Sequence, residues 1–511
     1  MMHLFLCIVM NVLIQSDSRP NILLIYSDDH SAQAVGAYGS RINETPHLDR
    51  IADGGMVFEN AFCTNGICAP ARAVVLTGVH SHLNGVRDNG GRLDQKRITF
   101  PRLLQSAGYN TAIIGKWHLK DDPVGFDHWE VLPGQGHYYS PDFVTEQGTV
   151  REEGYVTDLT VDKSIDWLAN QWDREKPFLL MCQNKAPHRG WIPGPDHLTR
   201  YDGTVVPEPS TLFDDWSGRS RASTNQEMTI DRHLFEYYDL KVPPADRSAE
   251  LVGPDRWMDG ILARMTPSQR EAWDQAYGPR NMSFRKAELE GDDLHRWKYQ
   301  RYIKDYLRCI ASVDDNTGRL VDWLEENGLS EDTIVIYTSD QGFFLGEHGW
   351  YDKRFMYEPS LRSPLIVRWP GVIEPGTRND HLVQNLDLAP TFLEMAGLDT
   401  PADMQGESLI PLMRGDRPED WRDSIYYEYF EKGIHAVEPH YGVRTDRFKL
   451  IYFPALDEWE LFDLQEDPDE VMNLSGDPAR AVQEAALRSE LERLRIHYEV
   501  PEAIDPVQSS R

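Results

Sequence analysis

Four places in the 511-residue sequence put charged or acceptor side chains just beyond a short apolar run. Asn21 to Tyr26 (N-I-L-L-I-Y) leads into Ser27-Asp28-Asp29-His30, and Thr333 to Thr338 (T-I-V-I-Y-T) leads into Ser339-Asp340-Gln341-Gly342. Thr111 to Ile114 precedes Lys116 and His118, and Pro177 to Asn184 (P-F-L-L-M-C-Q-N) precedes Lys185-Ala186-Pro187-His188-Arg189. Continuous apolar runs of this length suit strands buried on both faces, and ligands bind at the carboxyl ends of such strands in open α/β sheets. Adjacent carboxylates there are costly to bury unless a cation holds them. For Asp28-Asp29 alone, a helix N-cap with a spare charge is the plainer alternative. Asp28, Asp29, Asp340 and Gln341 taken together form an all-oxygen set suited to a hard divalent cation, and its flexibility favours calcium over magnesium. Zinc would bring His or Cys ligands. Lys116 and His118, at spacing two, fall on one side of an extended segment and read as pocket residues.

The elements that must position these groups follow in order. Helices are expected over Thr99 to Ala107, Thr157 to Ala169 and Asn385 to Ala396, and a long helical stretch, one helix or two, over Leu294 to Asn327, whose apolar positions recur at three and four. Pro364 to Trp369 reads as a further strand. Phe126 to Phe143, rich in aromatics, Gly and Pro, has no period and reads as a packed loop. Residues 201–291 lack strand alternation and read as an insertion at the sheet edge, helical around Thr266 to Tyr277. Beyond Asp416, short alternating segments at Ser424 to Tyr429, Tyr441 to Thr445, Phe448 to Phe453 and Glu460 to Asp463 predict a small antiparallel sheet, closed by an amphipathic helix over Ala481 to Arg495. The fold class is therefore α/β: a large domain over 17–415 with a mostly parallel central sheet between helices, and a small C-terminal domain over 416–500 with an antiparallel sheet and a terminal helix. Residues 501–511 read as a flexible tail.

Between the first two site segments lies Cys63 to His80, C-T-N-G-I-C-A-P-A-R-A-V-V-L-T-G-V-H. Cys68 is followed by Pro70 and Arg72 and then by an apolar helix-like segment that stops at Gly78. This C-x-P-x-R pattern resembles that of the type I sulfatases, alkaline-phosphatase-like enzymes in which the cysteine is oxidised to formylglycine. The resemblance covers most of the chain: D-D-H, C-A-P-A-R, G-K-W-H, K-A-P-H and S-D-Q-G-F-F-L-G-E-H-G-W-Y-D-K-R occur in order. It implies Cys68 as nucleophile after modification by a formylglycine-generating enzyme, and Asp28, Asp29, Asp340, Gln341 and modified residue 68 as ligands of one Ca2+. It also implies a sulfate pocket lined by Arg72, Lys116, His118, His188 and Lys353, with His188 protonating the leaving group and His118 taking the proton that lets sulfate depart. Ala71 stands where the pattern most often has Ser, and Gln341 where many relatives carry Asn or His.

The segments L-P-G-Q-G-H-Y-Y-S-P-D-F, D-K-R-F-M-Y-E and H-Y-G-V-R-T-D-R-F-K-L look most similar to bacterial glycan sulfatases that remove the 6-O-sulfate of N-acetylglucosamine from glycosaminoglycans. On that likeness Asp352 and Arg354, flanking Lys353, grip sugar hydroxyls, with His440 reaching in from the small domain. A phosphonate monoester or phosphodiester hydrolase of the same superfamily, and a non-catalytic glycan-binding relative, are the alternatives.

Composition sets limits on partners. The charge of 52 minus 83, or −31, opposes nucleic acid and anionic membranes, so an anionic substrate such as a sulfated saccharide requires a local cationic pocket. Five cysteines contain no C-x-x-C pair and no zinc spacing. Leu4 to Ile14 is apolar, of signal-peptide length and too short to span a bilayer, although only His3 precedes it and no A-x-A site follows before Asp17. It predicts a signal peptide over 1–16 and a secreted or periplasmic protein, with the cytoplasm left open.

Overall fold

The computed structural model describes residues 19–501 except 247 and 249; the signal-peptide segment 1–16 and all but the first residue of the tail lie outside the described residues. Among the described residues ten strands form the main sheet: β1 (Asn21–Ser27), β2 (Met56–Phe58), β3 (Asn110–Lys116), β4 (His128–Leu132), β5 (Asp142–Thr145), β6 (Gly148–Arg151), β7 (Phe178–Gln183), β8 (Thr333–Ser339), β9 (Leu365–Arg368) and β10 (Thr377–Asn379). Their spatial order is β10-β2-β9-β8-β1-β7-β3-β4-β5-β6. The central run β8-β1-β7-β3-β4 is parallel, with Ile22 opposite Leu179 and Ile334, whereas β9, β5 and β6 pair antiparallel towards the edges. Every residue of β1 and β8 is buried, which is why both read as unbroken apolar runs.

Two cores lie on the two faces of this sheet, split by strand alternation. Leu23 and Ile25 face one core and Ile22, Leu24 and Tyr26 the other. The principal helices are α1 (Cys68–Thr77), α2 (Val156–Asp166), α3 (Asp255–Leu262), α4 (Pro267–Ala287), α5 (Gly291–Glu326), α6 (Leu388–Met395) and α7 (Ala481–His497). Helices α2 and α5 pack with Leu23 and Ile25, and α1 and α6 with Ile22 and Leu24. The small domain is a four-stranded antiparallel sheet of β11 (Ser424–Tyr429), β12 (His440–Thr445), β13 (Phe448–Phe453) and β14 (Glu458–Asp463). Leu487, Leu491 and Leu494 of α7 cover one face, while Tyr427, Ile451 and Phe462 on the other join the main core. Buried His82 ties the two parts together: Nδ1 lies 2.8 Å from Glu428 Oε2 on β11, and Nε2 lies 2.8 Å from the carbonyl of Tyr498.

Three expectations change. The loop over Phe126 to Phe143 contains β4, which pairs in parallel with β3; its alternating burial was hidden by the Gly and Pro that follow it. The stretch read as one helix or two is one unbroken 36-residue helix, Gly291–Glu326, which starts three residues earlier than expected and is capped by Asn327. The strand at Asn110 does not carry on extended to His118: it ends at Lys116, and His118 takes a left-handed φ of 62°.

Candidate active site

The carboxyl ends of β1, β3, β7 and β8 converge on the start of α1. Helix α1 begins at Cys68, buries all ten of its residues and ends where Gly78 adopts φ 64° and donates its N–H to Val74 O at 2.8 Å, a C-terminal conformation that favours glycine. Gly115, with φ 104°, is required one residue before Lys116: a Cβ there would sit 2.0 Å from the Gln183 carbonyl on β7. That close approach sets Lys116 at its place.

Ligating atoms of Asp28, Asp29, Cys68 and Asp340 all lie within 4.8 Å of one another, and all four side chains are buried, as is Gln341. Asp28 Oδ1 accepts from Cys68 Sγ at 3.2 Å and its other oxygen pairs with Lys116. Asp29 pairs with Lys353 and accepts from the Gln341 amide, while its own N–H donates to Asp340 Oδ1 at 3.0 Å. Burial raises the Asp29 pKa, Asp340 and Asp352 add to the rise, and Lys353 opposes it. Burial opposes the charge of Lys353, yet Asp29, Cys68, Asp352 and Asp340 hold its pKa above the usual value. Burial drives the first shift and neighbouring anionic groups the second, and together they describe carboxylates crowded into a dry site. Asp29 Oδ2 and Gln341 Oε1 are buried acceptors with no hydrogen-bond partner. Two orphaned oxygens beside three crowded carboxylates fit a hard divalent cation.

Arg72 is placed differently from the expectation that it lines the sulfate pocket. Its Nη1 donates to Lys116 O at 2.7 Å and to Gln183, its Nη2 donates to Asp340 Oδ2 at 3.3 Å, and it lies over the Tyr26 ring. It braces the strand ends. Lys116 is fully buried and also donates to Gln135 Oε1 at 2.6 Å. His118 is buried with Nδ1 unpartnered, and burial, then Lys116, Arg72 and Lys353, drive its pKa far down.

A cavity of about 800 Å³ opens over this cluster, lined among others by Gln135, Lys185, His188, Asp352, Lys353 and Arg354. The Lys353 ammonium is 3.5 Å from Cys68 Sγ, and a His188 ring nitrogen lies within 4.8 Å of Asp28 and Cys68 ligand atoms. His188 Nδ1 donates to the Arg189 carbonyl at 3.1 Å, which leaves Nε2 for a ligand. Asp29, His118, Asp352 and Arg354 all carry positive φ, 68°, 62°, 77° and 97°, strain of the kind that collects at functional sites.

A family model described as Sulfatase matches residues 20–398, and one described as N-sulphoglucosamine sulphohydrolase, C-terminal, matches residues 346–497. The chain belongs to the sulfatase family. It is a sulfuric ester hydrolase. It is 45% identical to an N-acetylglucosamine-6-O-sulfatase of Bacteroides thetaiotaomicron over 95% of this chain and 88% of that one. It is 29% identical to the human N-acetylglucosamine-6-sulfatase over 82% of this chain and 69% of the other. A solved structure of a protein in complex with its substrate D-glucosamine-2-N,6-O-disulfate superposes with TM-score 0.92 at 45% identity, covering 96% of this chain and 100% of that one.

In this sulfatase the small domain meets the cavity by a route other than His440. That side chain is fully buried, with Nε2 accepting from Met356 N–H at 3.1 Å, Nδ1 donating to Glu438 O at 2.8 Å, and its ring stacked against Phe355. Tyr429 and Glu431 hold Arg354 instead, and His435 lies 2.7 Å from Asp352 Oδ2. His435 lies in a loop without a sequence period; Gln135 lies within the L-P-G-Q-G-H segment, and most of the wall from 254–264 is the amphipathic helix α3, but nothing in the order of residues shows that they reach this cavity. Lys185 could have been found, since it opens the K-A-P-H-R segment after β7. Burial brings its pKa down to about 8, with Asp29 and Cys68 opposing the fall. Lys185 is therefore protonated below about pH 8, and kcat/KM for a sulfate ester should decline above that pH as one cation is lost from the cavity. In Lys185→Arg the decline should move to higher pH; an unmoved limb would assign it to another group.

Proposed function

We propose that this sulfatase removes the 6-O-sulfate of a glucosamine or N-acetylglucosamine residue in glycosaminoglycan-type saccharides, outside the cytoplasm. The observation that carries the reading is that Asp352, Lys353 and Arg354 enter one cavity side by side. The middle residue faces residue 68, and its neighbours present a carboxylate and a guanidinium suited to sugar hydroxyls. A 6-O-sulfate projects from the ring on a methylene, so it can reach Lys353 while the ring stays level with Asp352 and Arg354. The relatives named above act on sulfated glucosamines, which supports the same substrate class.

The family's modification and metal fit these residues. Residue 68 as hydrated formylglycine would supply an oxygen nucleophile, and a Ca2+ ion, which Asp28, Asp29, Asp340 and Gln341 would hold, would supply Lewis-acid stabilisation. The chain's own groups do the rest. Lys353 and Lys185 neutralise charge on the sulfuryl oxygens. A sugar alkoxide is a poor leaving group and needs a proton, which His188 Nε2 delivers. In the free site burial, then Lys116, Lys185 and Lys353, keep His188 well below its usual pKa; a bound sulfate ester offsets those cations and favours the imidazolium. His118 Nδ1, buried and unpartnered, takes the proton when sulfate leaves: burial holds its pKa down together with the Lys116, Arg72 and Lys353 charges, and the bound sulfate offsets those charges.

Asp352→Ala and Arg354→Ala should each lower kcat/KM on a 6-O-sulfated glucosamine by ~10–100-fold, the worth of a charged hydrogen bond, while changing an aryl sulfate little. Unchanged sugar turnover in both would remove the substrate reading. An aryl phosphodiester turned over faster than the aryl sulfate would favour the phosphodiesterase alternative.

A further inference from the structure

We propose that a second pocket, between α4, the N-terminal part of α5 and the loop at Asp202, binds a sulfated saccharide away from residue 68. It has a volume of about 320 Å³ and is lined by Asp202, Arg280, Trp297, Gln300, Arg301, Lys304 and Arg308. None of these residues lines the cavity over Cys68. Four cations face one lining carboxylate in a chain of charge −31. Arg301, Lys304 and Arg308 recur at three and four along α5 and so share one face. Neighbouring positions Tyr302 and Tyr306 turn towards the main core, where Tyr306 Oη donates to Asp29 O at 2.7 Å.

Part of this charge is spoken for. Arg308 donates to Asp305, Asp202 and the Arg200 carbonyl, and Arg301 to Asn281 Oδ1 at 2.6 Å. Arg280 Nη2 likewise donates to Leu198 O at 2.6 Å and to Asp202 Oδ2 at 2.7 Å, but its Nη1 is buried without a partner, and Lys304 makes no ion pair or hydrogen bond among the described residues. Burial and then Arg308 lower the Lys304 pKa, with Arg280 and Arg301 adding to the repulsion. Asp202 and Asp305 offset part of the four cations, and the like charges left over destabilise the fold unless a further anion sits among them. An oxyanion bridging Lys304 and Arg280 relieves that repulsion and satisfies the orphaned N–H group.

The ligand is larger than an inorganic ion. Trp297 lines the same pocket, stacked on Phe284 with ring centroids 3.7 Å apart and with Arg301 beneath it at 5.3 Å. With its faces covered in this way it offers an apolar edge beside the cations, a pairing that suits the C–H groups of a pyranose carrying a sulfate. The saccharide identity rests on the substrate proposed above, whereas the need for an oxyanion stands without it.

The test is calorimetric titration of a sulfated heparin tetrasaccharide into Cys68→Ala protein, which cannot turn it over, with and without Arg280→Gln and Lys304→Gln. Two saccharides should bind per chain, and the second should weaken at least tenfold in the pocket variant. Lys304→Gln alone has no bond to lose, so it should keep or raise the Tm and leave aryl sulfate turnover by the Cys68 enzyme unchanged while weakening the second event. A single binding event in both backgrounds, a second event that Arg280→Gln and Lys304→Gln leave intact, or inorganic sulfate binding there as tightly as the saccharide would overturn the proposal. Loss of the first event with the second retained would instead count against the substrate reading of the catalytic cavity.

Discussion

A Cys68→Ala protein is expected to fold as the parent does and to lose kcat/KM on a 6-O-sulfated glucosamine by at least ~10³-fold, as loss of a nucleophile does. The state of the thiol agrees with the proposal that cysteine is the precursor and not the working group. Burial pushes the Cys68 pKa up to about 12, with Lys353 and Arg72 opposing and Asp340 and Asp29 adding to the rise. At neutral pH the side chain is a neutral thiol, and it is the thiolate that attacks. Protein produced without a formylglycine-generating enzyme should therefore be as inactive as Cys68→Ala, at unchanged Tm, with the peptide containing residue 68 keeping its sulfur in the mass spectrum. Co-production with a formylglycine-generating enzyme should restore activity in step with the aldehyde-bearing fraction of that peptide. Full turnover by protein whose residue 68 is all thiol would end this account.

The strand ends were legible because burial on both faces writes an unbroken apolar run, and the change to Asp-Asp, Asp-Gln or Lys marks where the sheet stops. That logic placed Asp28, Asp29, Asp340, Gln341, Lys116 and His188 within one cluster. It failed where a side chain's partners decide its role. Arg72 has the charge for holding sulfate, yet its two Nη groups are engaged by Lys116 O, Gln183 and Asp340, contacts formed by four separate stretches of chain. It failed again for His440 and His435, five residues apart in one small domain. The first sits on β12, whose alternation turns it into the core against Phe355, and the second lies in the preceding loop, where no period announces that it reaches Asp352. The 201–291 stretch read as an insertion of no stated use, but Tyr238, Trp257 and Arg264 from it wall the cavity. Such walls depend on packing between distant segments, which local sequence does not record.

Lys353 separates recognition of sulfate from recognition of sugar, because it stands between two residues assigned to the ring. Its ammonium touches Asp29 and lies 3.5 Å from the residue-68 side chain, so any sulfate ester attacked there must place an oxygen beside it. Lys353→Ala should lower kcat/KM by ~10²–10³-fold, the scale of losing one preorganised charge at a transition state, and by a similar factor on aryl sulfate and on sulfated glucosamine. That uniformity is the discriminating feature, since Asp352→Ala should spare the aryl ester. Lys353→Arg should not rescue: a compact ammonium fits between Asp29 and residue 68, and a planar guanidinium cannot take that place without displacing one of them. Loss of the cation also leaves buried Asp29 without its ion-pair partner, so apo Lys353→Ala should gain more Tm on adding Ca2+ than the apo parent does. A Lys353→Ala enzyme that kept aryl sulfate turnover while losing the sugar would reassign Lys353 to sugar binding and leave Lys185 as the cation on the sulfuryl group.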